Sequence, residues 1–537
     1  MALNIADLLE HAVDAVPERT AVICDGRQVT YGELDKRANQ LAHHLASVGV
    51  GKDDHVGIYS RNSIESMEAM FAAYKLRARA VNVNFRYVAE ELRYLFDNAD
   101  LVALIHERQF ADRVAEVLPD APKLKHVMVV EDGSDADYSR YDGVAYESAL
   151  ARHSGERDFG ERSADDLYIL YTGGTTGYPK GVMWRQEDVW RTLGGGIDFL
   201  TGEYVPDEWT LANQAKEGPG LVRMPVSPLI HGAAQWAAFG ALFAGSSVVF
   251  VPQFDAHQVW REIQEHKVNV LTMVGDAMGK PLLAAYREGN YDASSLVAIT
   301  SHAALFSQSL KHEYLEEFPN AVLTDAVGAS ESGFTGISMI SKDSDHSAGP
   351  RVNFSKQAVL VDEDNNLIEP KPGAVGKMAR GGHVPVGYYK DPEKTKSIFV
   401  EIDGQRYVVP GDYARYEEDG TVTLLGRGSQ TINTGGEKVY PEEVEGALKS
   451  YPDVFDALVV GVPDERWGNR VGAVIQPSDG TSIDANALND HVRTKIAGYK
   501  VPRSLWFVSE VRRQPSGKPD YTWAKSYAEE HDADITV

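Results

Sequence analysis

The chain has one cysteine, Cys24, in 537 residues. A single thiol excludes an intramolecular disulfide and any metal centre built on several cysteines. Positive charge is also scarce: 53 Lys+Arg stand against 79 Asp+Glu, a formal balance of -26. Nucleic-acid binding and attachment to an anionic membrane want a basic face, so both are excluded as general roles, although a local cationic pocket is not. No apolar run approaches the roughly 18 residues of a membrane-spanning helix. The N-terminus MALNIADLLEHAV lacks a basic leader region and carries Asp7 and Glu10 inside its apolar stretch. These absences predict a soluble, cytoplasmic chain with no stable membrane insertion. What is present is ordinary globular composition, 43% hydrophobic and 25% charged, in a length that suggests several structural units, each with a core.

Periodicity then orders the chain. Ile5, Leu8, Leu9, Ala12, Val13 and Val16 share one helical stripe, and Thr30-x-x-Glu33 is a capping-box pattern ahead of Leu34, Ala38, Leu41, Ala42 and Leu45. Up to about residue 330, strand-like runs such as HVGIYS, LVALIHE, VNVLTMV, LVAITS and AVLTDA alternate with helix-like ones, which predicts βαβ units in largely parallel sheets. From about 340 short strands separated by Asp-Asn and Asp-Gly turns predict a β-rich, barrel-like unit, and after Arg427 the texture returns to mixed α/β. The expected fold is α/β: an N-terminal body over 1–427, made of layered sheets and helices with a β-rich subdomain at about 340–426, and a smaller α+β lid over 428–537. Residues Thr201–Val222 read as a polar inserted loop.

The densest chemical signal is Leu170-Tyr-Thr-Gly-Gly-Thr-Thr-Gly-Tyr-Pro-Lys-Gly-Val182. Its glycines let backbone N–H groups approach an anion closely, its threonine hydroxyls add donors, and Lys180 adds a fixed positive charge. It is not a Walker A loop, because Tyr178-Pro179 separate Gly177 from Lys180. Four further segments follow in order: Gly328-Ala-Ser-Glu-Ser332, Pro410-Gly-Asp412, Gly426-Arg427 running into Gly-Ser-Gln-Thr-Ile-Asn-Thr-Gly-Gly-Glu-Lys438, and Pro515-Ser-Gly-Lys518-Pro. Taken singly, each reads as a turn, a linker or a solvated loop.

Together, the five strings resemble those of the adenylate-forming superfamily, which holds acyl-CoA synthetases, peptide-synthetase adenylation domains and firefly-type luciferases, and the resemblance covers essentially the whole chain. By that resemblance Thr172, Gly173, Gly174, Thr175, Thr176, Gly177 and Lys180 form the phosphate loop, and Ala303, Gly328, Ala329 and Ser330 complete the ATP/AMP site. Glu331 would hold Mg2+. A carboxylate beside a phosphate site needs such a cation between them. Val327 stands where relatives carry an aromatic residue against adenine. Asp412 would accept from both ribose hydroxyls, Arg427 would reach ribose or phosphate, and Ser429 occupies the hinge. Gly435, Gly436 and Lys438 would line the CoA entrance. Lys518 would bridge the substrate carboxylate and the α-phosphate, neutralising charge where it concentrates. His231, in Ser227-Pro-Leu-Ile-His231, resembles the gate between acyl and ATP sites, with Trp236, Met273 and Gly275 in the acyl pocket and small Ala303 and Ala304 beside it.

The implied chemistry is a carboxylate attacking MgATP to give an acyl-adenylate, then CoA displacing AMP. Within the superfamily, VNVNFRYVAEELRYLFDNAD, GVMWRQEDVW, VPVGYYKD and IAGYKVPRSLWFV resemble bacterial CoA ligases for cholesterol-derived carboxylates. A bulky steroid side-chain acid is therefore the leading expected substrate, with long- or medium-chain fatty acids next. A luciferase-like oxygenase and a nucleotide-binding relative without enzyme activity are the readings from other classes. The expected partners are the carboxylic acid, ATP and CoA, with no nucleic acid, and a homodimer is left open.

Overall fold

The computed structural model describes residues 3–174, 177–198, 201–304, 306–340, 351–434, 437–464, 468–514 and 517–536. The first helix, Ile5–Ala15, starts where the Asn4 side chain accepts from Ala6 N–H at 2.8 Å. The second, Tyr31–Ser47, is preceded by both halves of the capping box. Thr30 Oγ1 accepts from Glu33 N–H at 3.2 Å, and Glu33 Oε2 accepts from Thr30 N–H at 2.8 Å.

The βα alternation becomes a parallel sheet. Thr20–Cys24, Ser247–Phe250, Val222–Pro225, Val270–Met273, Ala298–His302 and Val322–Ala329 lie side by side in that order. From Val222–Pro225 the chain steps one way to Ser247–Phe250 and then returns past its start to Val270–Met273. The connecting helices Gly232–Phe243 and Ala256–His266 fall in different core clusters, one on each face. A reversal of this kind opens a crevice beyond the carboxyl ends of the strands. A second parallel sheet holds Arg79–Asn82, His55–Tyr59, Leu101–Glu107, His126–Val130 and Gly143–Ala145. Helices Tyr31–Ser47, Ile64–Lys75 and Gly232–Phe243 share one apolar cluster with Val22 and Phe250 of the first sheet and Ile58 and Ile105 of the second. Ile64–Lys75 is buried at every position, and its Lys75 is accordingly paired with Glu10 and with Asp35, the latter at 2.7 Å.

Beyond residue 350 the short strands are present, and among the described residues they extend the first sheet without closing a barrel of their own. Gly333–Ile340 pairs antiparallel with Val322–Ala329 and with Arg351–Phe354, which in turn pairs with Val422–Arg427. The C-terminal segment carries a separate sheet of Glu437–Val439, Ile432–Thr434, Gly468–Pro477, Ser504–Phe507 and Ile535–Thr536, with Val454–Asp464 on Gly468–Pro477. The segment Thr201–Val222 is more than a loop. It contains helix Thr210–Ala215, with Ala212 and Ala215 buried, and Trp209 stacks on His11 of the first helix with centroids 3.5 Å apart. Arg19 ties it down by donating to the carbonyls of Ala215 at 3.1 Å and Gly218 at 2.6 Å. The apolar spacing of Leu211, Ala212 and Ala215 was the signal in the sequence for this docking. No helix among the described residues is long and apolar enough to cross a membrane.

Candidate active site

The crevice at the sheet's carboxyl edge gathers segments far apart in sequence. Val222–Pro225 leads into Ser227–His231, and Val270–Met273 leads into Gly275. Ala298–His302 leads into Ala303, and Val322–Ala329 turns through Ser330–Ser332 into Gly333–Ile340. Gly328 lies opposite Phe334 and Ala329 opposite Gly333, so this turn is a tight hairpin end. It is fixed from three sides: Trp184 Nε1 donates to the Ser330 carbonyl at 3.0 Å, Ala329 N–H donates to Ser332 Oγ at 3.2 Å, and Tyr388 OH donates to Glu331 Oε1 at 2.8 Å.

The Gly/Thr string forms a hairpin of Leu167–Gly174 and Gly177–Arg185, in which Thr172 faces Lys180 and Gly174 faces Gly177. Thr175 and Thr176, at its tip, lie outside the described residues. Lys180 Nζ is ion-paired with Asp391, whose side chain also caps helix Pro392–Ile398 by accepting from Lys394 N–H at 2.9 Å. That ion pair holds the Asp391 carboxyl below its ordinary range, through the hydrogen bond from Lys180 first. At the far end of the body, Asp412 is the register partner of Arg427 across antiparallel strands. Ser429 falls in a single helical turn, Gly428–Gln430, and Lys438 in strand Glu437–Val439. Gly435 and Gly436 lie outside the described residues.

The C-terminal segment reaches the same crevice. There Gln514 N–H donates to the Lys518 carbonyl at 2.8 Å and Arg513 Nη1 donates to the Gly517 carbonyl at 3.1 Å. Gly517, at φ +79, presses on the start of helix Gly275–Glu288, where a Cβ would meet Val274 Cγ1 and Ala277 Cβ at 3.3 Å. Lys518 therefore stands over the crevice, close enough for its charge to act on both His231 and His302. His231 is pushed down to about 3, by burial first and then by Lys518, Arg86 and His302. His302 is pushed down to about 4 by burial and Lys518. Both rings are neutral at physiological pH.

The remaining expected residues separate into rim and core. His231 heads helix Gly232–Phe243, and Gly275 donates its N–H to Ser301 Oγ at 3.1 Å. Trp236 is 3% exposed and packs edge-to-face on Tyr168 and Phe239, both with centroids at 5.2 Å. Met273 is fully buried with its sulfur 3.9 Å from the Tyr314 hydroxyl, which places it in the core behind the crevice. Ala303 is exposed at φ 64, a left-handed conformation that costs a non-glycine residue about 1 kcal/mol or more. Sequence reasoning named Ala303 and Ala304 and passed over His302 beside them. The missed signal was a large ionisable residue ending an apolar strand.

Two family descriptions cover most of the chain: "AMP-binding enzyme" over residues 9–389 and "AMP-binding enzyme C-terminal domain" over 443–518. The chain belongs to the AMP-binding enzyme family. This AMP-binding enzyme is 60% identical, across 98% of its length and 96% of the relative's, to the 3-oxocholest-4-en-26-oate–CoA ligase of Rhodococcus rhodochrous. It is 58% identical, across 99% and 98%, to the medium/long-chain-fatty-acid–CoA/3-oxocholest-4-en-26-oate–CoA ligase of Mycolicibacterium smegmatis. The fold matches the anthranilate CoA ligase AuaEII in complex with anthranoyl-AMP, with a TM-score of 0.83, 22% identity and coverage of 98% and 97%. The expected α/β fold and the family resemblance are thus borne out.

Proposed function

We propose that this AMP-binding enzyme is an acid–CoA ligase that activates a bulky apolar carboxylic acid, foremost a steroid side-chain acid, through an acyl-adenylate. The observation that carries the reading is the seating of Gly517-Lys518 at the carboxyl edge of the sheet, where Gly517 packs on Val274 and Ala277 and the Lys518 charge reaches His231 and His302. Simple nucleotide binding requires no such cation, whereas joining a carboxylate to a phosphate brings two anions together and does. The substrate class is supported by the 57–60% identity to ligases whose names include 3-oxocholest-4-en-26-oate. Several of those names also include medium- and long-chain fatty acids, so fatty acids are the second substrate class.

In the first half-reaction the Lys180 hairpin and the 328–332 turn grip the phosphates, and a carboxylate oxygen of the acid attacks the α-phosphorus as pyrophosphate leaves. Glu331 is one carboxylate beside a phosphate loop, and among the described residues no cluster of three metal-ligating side chains occurs. That donor set fits Mg2+, which takes one or two carboxylates and fills its other positions with phosphate oxygens and water. When bound, the ion would neutralise charge on the phosphates. Asp412 and Arg427 would hold the ribose. In the second half-reaction the CoA thiol attacks the acyl carbon, AMP leaves and the thiol proton is lost. Lys518 then obstructs the path, and rotation of the 428–537 lid about Ser429 would withdraw it and bring Gly435, Gly436 and Lys438 to the CoA. Pyrophosphate release with a panel of steroid side-chain acids, fatty acids of graded length and aryl acids tests the proposal. The expected result is highest kcat/KM with steroid acids and lower values with fatty acids. Preference for aryl acids contradicts the substrate class, and no release with any acid contradicts the enzyme.

A further inference from the structure

His302 ends the strand Ala298–His302, and the chain is tied immediately beyond it: Ala304 N–H donates to the His302 carbonyl at 2.8 Å, and Ala303 sits in the left-handed region. On one side Ser301 is fixed by the Gly275 N–H, and on the other His302 is the register partner of Ala326, two residues before Gly328. Both ring nitrogens of His302 are buried and neither has a partner among the described residues; the same holds for Nε2 of His231. A buried polar group left unsatisfied costs about 1–3 kcal/mol, and three such atoms meet in one crevice under the Lys518 ammonium. Two neutral imidazoles and a cation complement an oxygen anion.

The order across the crevice says which anion. His231 and the helix of Trp236 lie on one side and the 328–332 turn on the other, with His302 between them. The phosphate hairpin belongs to a different sheet. His302 therefore stands at the junction where the acid's carboxylate meets the nucleotide.

We infer that His302 is a substrate-contacting residue: its ring N–H donates to a carboxylate oxygen of the acid and then to the carbonyl oxygen of the acyl-adenylate, beside His231 and Lys518. This inference rests on the acid-activating reading above. It also accounts for a bulky side chain at a crevice position flanked by Ala303 and Ala304. The neutral ring has one N–H, so its contact is a single directed hydrogen bond, and its other nitrogen accepts from water or from the partner imidazole.

The full-length enzyme is compared with His302→Leu, which keeps bulk and loses the donor, and His302→Gln, which keeps an N–H donor. The expected kcat/KM for the acid in pyrophosphate release falls about 10- to 100-fold in the Leu variant, and Gln restores a large part of it. AMP affinity, measured by calorimetry without acid, stays within twofold. The infrared carbonyl band of bound 13C-labelled acyl-adenylate moves to higher frequency in the Leu variant and back towards wild type in the Gln variant. Wild-type kinetics with an unmoved band in the Leu variant overturn the inference. So does a loss confined to AMP binding, which would make the phosphate the partner. If the Leu variant melts early, the wild-type enzyme with 15N-labelled histidine decides: His302, assigned by its absence in the Gln variant, must shift when the acyl-adenylate forms, and an unmoved resonance overturns the inference. Failure of the underlying reading looks different, because the wild-type enzyme would then release no pyrophosphate.

Discussion

The Lys280 ammonium lies 4.1 Å from the ring centroid of Phe455, a residue of the body stacked on a residue of the C-terminal segment. Around this contact Ser309 Oγ donates to the Lys449 carbonyl at 3.4 Å, and Lys449 and Arg513 both pair with Asp456. Burial pushes Lys280 below the usual lysine range. The contact is thus a cation–π pair that exists while Lys518 is seated, worth about 0.5–2 kcal/mol. Lys280→Ala should lower the adenylation rate by about 2- to 30-fold through loss of that pair while leaving thioester formation from supplied acyl-adenylate unchanged. Single-turnover assays of the two half-reactions check this, and an equal loss in both contradicts it.

Lys518→Ala goes further along the same axis. If Lys518 stands where the two anions meet, as proposed, its removal should lower adenylation by about 100-fold or more. Conversion of supplied acyl-adenylate to thioester should stay within a few-fold of wild type. Equal losses in both half-reactions would contradict the alternating use of the lid.

The Lys180–Asp391 ion pair predicts a different pattern. Both side chains are about one-third exposed or less (33% and 27%), and such surface-near pairs contribute only about 0–1 kcal/mol. Asn caps helices as well as Asp does, so Asp391→Asn keeps the cap of Pro392–Ile398 and removes only the charge. It should change the KM for ATP less than about 5-fold, because the pair is weak. Lys180→Ala would remove the proposed phosphate contact and should raise that KM by more than 10-fold. Steady-state kinetics with varied ATP separate the two.

Asp456 predicts an acid limit for the C-terminal segment. Burial alone would raise its carboxyl, but Lys449 and Arg513 outweigh burial and hold it well below the ordinary range. A carboxyl depressed in the folded state contributes stability that is complete above its unfolded value, near 4, and is lost as pH falls towards the folded value. Thermal melts of the wild type should therefore lose stability below about pH 4, and part of that slope should disappear in Asp456→Asn. Breaking a buried pair of this kind costs about 3–5 kcal/mol, so the variant should also melt earlier at pH 7. An unchanged melting temperature would contradict the role.

Local rules in the sequence reached far into this fold. The Thr30–Glu33 box formed as the pattern predicts, and the alternating runs became the parallel strands that end in the crevice. Two features escaped because they depend on partners remote in sequence. The β-rich subdomain expected at about 340–426 follows from strand spacing, but spacing does not show that its strands continue the central sheet through the Gly336–Phe354 register. Thr201–Val222 looks like a polar loop, yet docks through Trp209 onto His11. In the proposed site, ordered motifs pointed to Lys180, Glu331, Asp412 and Lys518, whereas His302 has no motif. Its meaning lies in two buried nitrogens with no partner among the described residues and within reach of the Lys518 charge, which only the folded chain displays.

The central claim is that an acyl-adenylate precedes the thioester. The direct measurement mixes enzyme, ATP, Mg2+ and a steroid side-chain acid without CoA, quenches a single turnover and weighs the products. The account predicts near-stoichiometric acyl-AMP with pyrophosphate, converted to acyl-CoA and AMP when CoA is added. Release of ADP and phosphate, or thioester formation without a prior acyl-AMP, would contradict it.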